Sequence, residues 1–333
     1  MNLSLKKYSG LGIISLVLLV VNMKPANSSL SPLLLGKSTQ LNLKSLSIPL
    51  QEEEKLTISR QWILAQSNRQ TATESLNKGL QAIQGGKVQE AIAAFRQATQ
   101  LDPTLAPAYY NLGLALRQAG QVQPAADAFY QATQADAQFA PAFANLGGAL
   151  LEGNNLKLAT DYLQRAIQLE PSLGFAHYNL GLVKAQQQDW ESAIAAFTKA
   201  IAYSPNAPEP PYHLGLSYLK QGKIEDAIKA FQQAIKVNPK YAEAHYNLGS
   251  ILFGQSKFAE ALAAFRKSAD ANSKYADPYY GAGLALLQLK QYSEALKVFE
   301  YAKNLYKTQG NSQWEKNTEQ LLLRTQNLND QPR

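Results

Sequence analysis

The sequence predicts an all-α solenoid, a stack of short helical hairpins, and three in-phase rows of residues predict it. A glycine recurs every 34 residues at Gly79, Gly113, Gly147, Gly181, Gly215, Gly249 and Gly283. Twelve residues after each stands an alanine: Ala91, Ala125, Ala159, Ala193, Ala227, Ala261 and Ala295. Four residues further on comes a large apolar side chain: Phe95, Phe129, Leu163, Phe197, Phe231, Phe265 and Phe299. The rows stay in phase over seven units, 72–105, 106–139, 140–173, 174–207, 208–241, 242–275 and 276–309, with no insertion or deletion.

The unit 174–207 shows why the period means paired helices. Phe175–Gln187 carries Leu180 and Val183 on one face, and Trp190–Tyr203 carries the amphipathic stripe Ile194, Phe197 and Ile201. Asp189 is placed to cap the second helix, Glu191 puts an acid in its first turn, and Pro205 ends it. Helices of about 13 residues are marginal alone in water, so stacking is obligatory. Gly181 and Ala193 lack bulk where the two helices cross, and Phe197 fills the space beside them. The period and these residues resemble the tetratricopeptide repeat, whose pattern runs W-x2-L-G-x2-Y…A-x3-F…P. The resemblance implies a right-handed superhelix whose first helices face a concave inner surface, and a scaffold for protein interactions.

Ahead of the repeats, Lys6 and Lys7 precede the apolar run Leu11–Val21, and Ala26-Asn27-Ser28 offers small residues for cleavage. Residues 1–28 are read as an export signal, with an uncleaved membrane anchor as the alternative. An extracytoplasmic protein (periplasm, lumen or secreted) follows. Residues 29–71 show no sustained period and are expected to be a flexible linker, although Leu56, Ile58, Trp62 and Ile63 leave a short helix open. Unit five opens on Pro205, Pro208, Pro210 and Pro211, which replace the family's large aromatic and suggest a looser 4/5 junction. Residues 310–333 are read as a capping helix, Gln313–Leu328, and a tail, with Ser312 as its cap and Trp314, Leu321 and Leu322 as its apolar side.

Composition narrows the function. Cysteine is absent, which excludes disulfides, thiolate nucleophiles, cysteine-based metal sites and lipidation of an N-terminal cysteine. The net charge of +7 is mostly leader and linker: residues 1–71 hold 8 bases and 3 acids, the repeats 21 and 19. Residues 208–309 are mildly basic, with 13 bases and 9 acids, but form no phosphate-binding stripe, so no nucleic-acid partner is expected. The histidines His177, His213 and His245 lack metal-ligand spacing, and Gly85-Gly86-Lys87 lacks the spacing that cradles phosphate. Neither an enzyme nor a cofactor is expected.

One constellation suggests a binding face. Place six of the units reads Asn77, Asn111, Asn145, Asn179, His213, Asn247 and Gly281. Place five holds Tyr110, Tyr178, Tyr212, Tyr246 and Tyr280 in five units. An asparagine amide can pair with both groups of a peptide bond. First helices roughly 10 Å apart would meet one such amide per three residues of an extended chain. The row resembles the asparagine ladder in the repeats of O-linked N-acetylglucosamine transferase. Leu80, Leu114, Leu182, Leu216 and Leu284 continue the same face. The Lys and Asn places of the carboxylate clamp that binds heat-shock chaperones are not matched. Place two reads Thr73, Pro107, Pro141, Phe175, Glu209, Glu243 and Asp277. The expected function is a non-enzymatic scaffold that binds an extended peptide or partner helix. The alternatives are an accessory subunit recruiting a catalytic partner, or an assembly factor for membrane complexes, with membrane association through the N-terminus.

Overall fold

Helices alternate with tight turns wherever the 34-residue pattern runs, and the turn chemistry sets every boundary. The computed structural model describes residues 52–330. Contacts divide the chain into two units, Met1–Ala65 and Gln66–Arg333. Among the described residues there are fifteen helices and no strand. Helix α1 is Glu52–Gln84. Twelve helices follow: α2 Val88–Leu101 and α3 Ala106–Gln118, then α4 Val122–Ala135 and α5 Ala140–Glu152, then α6 Leu156–Leu169 and α7 Gly174–Gln186. They continue as α8 Trp190–Tyr203 and α9 Glu209–Lys220, α10 Ile224–Val237 and α11 Ala242–Gly254, α12 Phe258–Ala271 and α13 Ala276–Gln288. Helices α14 Tyr292–Thr308 and α15 Ser312–Asn329 close the array.

Three local expectations change. Residues 52–71, expected as linker, are helical and run without a break into the first helix of unit one. No Gly or Pro between Glu52 and Lys78 interrupts the backbone ladder, so local propensity carries the helix upstream. Of its side chains, Trp62, Ile63 and Leu64 are exposed. The leader 1–28 and the rest of the linker lie outside the described residues. Ser312 is the first helical residue of α15, not its cap, and Asn311 precedes it without a capping side chain. The prolines of unit five are absorbed in the first turn of α9, where Pro210 and Pro211 are buried. They fill the junction with α8 rather than loosen it.

The core is the three rows. Ala91, Ala125, Ala159, Ala193, Ala227, Ala261 and Ala295 are all fully buried, and so are Phe95, Phe129, Leu163, Phe197, Phe231 and Phe299. The glycine row is what lets the rings in: a Cβ on Gly181 would stand 2.6 Å from the Phe197 ring. Such a contact forces a fully buried ring to move, at a cost typical of overpacking, about 1–3 kcal/mol or more. The asparagine N-cap Asn155 and the aspartate N-cap Asp189 accept from Leu158 N and Ser192 N. His177 and His245 pin the turns before their helices, with each Nε2 2.9 Å from the carbonyl of Pro171 or Pro239. They are buried packing residues. At the end of the array, Trp314 of α15 meets Tyr280 edge-on and stacks on Tyr306, which closes the last hairpin.

Candidate functional site

The site begins with the way first helices touch. Helices α5 and α7, α7 and α9, and α11 and α13 pack on one another directly, although a second helix separates each pair in sequence. Places two, five, six and nine lie at i, i+3, i+4 and i+7, one face of a helix. Direct packing in those pairs, with the Asn145–Tyr110 and Asn247–Tyr212 side-chain contacts joining α3 to α5 and α9 to α11, lines those faces up along the array. Leu80, Leu114, Leu182, Leu216 and Leu284 at place nine are all partly exposed, and Gly148 and Ser250 complete their row.

The tyrosines of place five are rooted in the core. Tyr110, Tyr178, Tyr212, Tyr246 and Tyr280 each pack against the phenylalanine of their own unit, with ring centroids 5.8–6.0 Å apart. Tyr110, Tyr212 and Tyr246 also meet the aromatic at place 34, Phe139, Tyr241 or Tyr275, at 5.0–5.3 Å. The hydroxyls of Tyr110 and Tyr212 reach the place-six asparagines of the next unit, Asn145 and Asn247. Burial pushes the phenol of Tyr110 up to about 12, a shift that the hydrogen bond with Asn145 opposes. Burial likewise raises Tyr246 to about 12, and the Asp277 carboxylate beside it adds to the rise.

The asparagines of place six are committed first to their own backbone. The amides of Asn111, Asn145 and Asn247 donate to the carbonyls of Pro107, Pro141 and Glu243, at 2.8, 3.0 and 2.8 Å. The Asn145 amide also reaches the Tyr110 hydroxyl at 3.3 Å, and Asn247 reaches that of Tyr212 at 3.5 Å. What these side chains keep for a ligand is chiefly the acceptor Oδ1. Asn77 is exposed on α1, Asn111 and Asn247 are half-buried, and Asn145 and Asn179 are buried. Asn179 differs: its Nδ2 is buried with no hydrogen-bond partner and lies against Gly148. Unit three has Ala144 where a tyrosine would offer its hydroxyl.

At His213 the row changes chemistry. Its ring stacks on Phe197 at 5.8 Å and meets Tyr178 and Tyr212 edge-on at 5.7 and 5.2 Å. Burial in this aromatic nest pulls its pKa down to about 4, so the ring is neutral at physiological pH. The sequence reading of place five and place six did not extend to the carboxylates of Glu209, Glu243 and Asp277. Their signal was the same 34-residue spacing at place two. Asp277 accepts a 2.6 Å hydrogen bond from the Tyr306 hydroxyl. Among the described residues no group of three or more His, Asp or Glu side chains is arranged to hold a metal.

Known proteins share this architecture. Family models described as tetratricopeptide repeat match residues 212–276, 252–310 and 106–139, and a model described as TPR repeat matches 79–120 and 183–222. No curated protein sequence matches the chain. Among solved structures, the Cut9–Hcn1 hetero-tetramer of the APC/C aligns at TM-score 0.58 and 19% identity, over 68% of this chain. The chain spans only 46% of that protein's length. PilF of Pseudomonas aeruginosa aligns at 0.57 and 20% identity, over 64% of this chain and 96% of its own. A tetratricopeptide repeat protein from Parabacteroides merdae aligns at 0.56 and 19%, over 75% and 99%. At these identities the likeness is one of fold. With the sequence models and the stacked hairpins in agreement, the chain belongs to the tetratricopeptide repeat family, whose fold is typically a non-catalytic scaffold for protein partners.

Proposed function

We propose that this chain is a non-enzymatic scaffold whose first-helix strip holds an extended segment of a partner protein. The observation that carries the reading is the row of partly exposed leucines in five of the seven units, flanked by asparagines and tyrosines of places six and five. An apolar row supplies affinity, and regularly spaced acceptors can take a peptide's N–H groups. A photo-crosslinking residue placed at Leu182 or Leu216 should label a partner in cells, and the same residue at exposed Tyr130 on second helix α4 should not. Labelling from Tyr130 alone would move the interface off the strip. The leader composition supports export, with the mature chain starting near Ser29 and an anchored N-terminus as the variant form. N-terminal sequencing of native protein checks this, and a soluble chain that retains Met1 would refute it.

A further inference from the structure

The basic residues of the last three units are sorted between the two helices of each repeat. Of the 13 Lys and Arg residues in 208–309, Lys220 alone lies on a first helix; the others sit on second helices and turns. The first helices α9, α11 and α13 carry Glu209, Glu243 and Asp277, each at place two. In units one to four that place is Thr73, Pro107, Pro141 and Phe175, all uncharged. A first-turn acid suits a helix dipole anywhere, and second helices have such acids too, at Glu225, Glu260 and Glu294. There, however, lysines and arginines are interspersed with them. On the first helices the three acids stand against a single cation, Lys220, which lies on the same face at the far end of α9.

Phenols gather beside these carboxylates. Burial raises the pKa of Tyr178, and Glu209 and Tyr212 beside it raise it further. Burial raises the pKa of Tyr241 as well, and the charges of Tyr212, Glu243, Tyr178 and Glu209 add to the rise. Glu209 is half-buried, Glu243 is exposed, and among the described residues neither forms an ion pair. Asp277, by contrast, already accepts from Tyr306. The apolar rows of this stretch, with Leu216 and Leu284 partly exposed, run beside the carboxylates on the same helix faces.

Spacing fixes the occupant's shape. Neighbouring packed helices stand about 8–10 Å apart, and three residues of polyproline II rise about 9 Å and return to the same side. We infer that the strip of units five to seven takes a basic, extended segment with Lys or Arg at every third residue, its cations on Glu209 and Glu243. The residues between them lie on the leucine row. This rests on the strip being the binding face, and it adds the partner's charge and periodicity.

A random 12-residue peptide library selected on the full chain tests it. Wild type is expected to enrich peptides with bases at i and i+3. Their affinity should fall with added salt, and about five- to tenfold in Glu209→Gln/Glu243→Gln, an isosteric pair that leaves helicity unchanged. A Leu216→Arg chain should lose them altogether. Enriched peptides that are neutral or acidic, or that bind the Gln variant undiminished, yet are lost in Leu216→Arg, would overturn the charge inference and leave the face standing. Peptides that bind Leu216→Arg as well as wild type, or no enrichment at all, would overturn the face itself.

Discussion

At the residue scale, two asparagines one unit apart show how the same residue does different work. Asn145 gives its amide to Pro141 and Tyr110, whereas Asn179 leaves a buried Nδ2 without a partner. Removing Asn145 takes away the partner of the buried Tyr110 phenol, so Asn145→Ala should cost about 1–3 kcal/mol. Asn179→Ala removes an orphan donor and should cost at least about 1 kcal/mol less. Urea denaturation of both variants checks this, and equal losses would show that Asn179 is paired in solution. His213 gives a pH signature. Its pKa of about 4 in the fold lies below the ordinary 6.5, so between those values the unfolded chain binds the extra proton. Stability is therefore intact above about pH 6.5 and falls as pH drops towards 4, by on the order of 2 kcal/mol. His213→Asn should flatten that part of the pH–stability curve, and an unchanged slope would refute the assignment.

At the element scale, the hairpin turn is the feature most uniform in geometry and least uniform in sequence. Place 15 has a left-handed backbone in all seven units: Gly86, Gly120, Asn154, Gln188, Gly222, Ser256 and Lys290, with φ between 59° and 75°. The following N–H closes the turn onto a carbonyl five residues back, as Lys87 does to Ala82 at 2.8 Å and Asp189 to Lys184 at 2.9 Å. Glycine adopts this conformation freely, whereas other L-residues pay about 1–2 kcal/mol. Gln188→Gly and Lys290→Gly should therefore each stabilise the chain by about 0.5–1 kcal/mol, and Gly120→Ala should destabilise it by a similar amount. Thermal melts of the three variants decide it. Loss of stability in both glycine variants would mean that the long side chains make compensating contacts.

At the scale of the whole array from Gln66 to Arg333, each hairpin meets mainly its neighbours, so the weakest junction governs where opening starts. The proline cluster of unit five marks the 4/5 junction in sequence, yet Pro211 is among the most completely buried residues of the chain. Amide exchange in Tyr212–Tyr218 should match that in Ala144–Leu150 and Tyr246–Leu252. Distinctly faster exchange there would show that missing proline donors outweigh the packing. The array also separates its charge: all but one of the bases of the last three units lie on second helices and turns, so acids outnumber bases on the first helices. That separation, rather than net charge, is what a partner would meet.

The 34-residue rows determined the hairpins, their order and their core, because a small residue facing a large one at a fixed crossing leaves one way to pack. The asparagine and tyrosine rows were equally legible as positions on one face. Their availability was not. Whether an amide is free depends on a carbonyl four residues back and on a hydroxyl 35 residues away, and only packing brings the second within reach. The continuation of α1 into 52–71 escaped the sequence reading because it has no period, only an absence of helix breakers. The burial of the unit-five prolines and the company of phenols around Glu209 and Glu243 were likewise decided by tertiary structure. Stacking, not local pattern, chooses which groups lose water and which stay open to a partner.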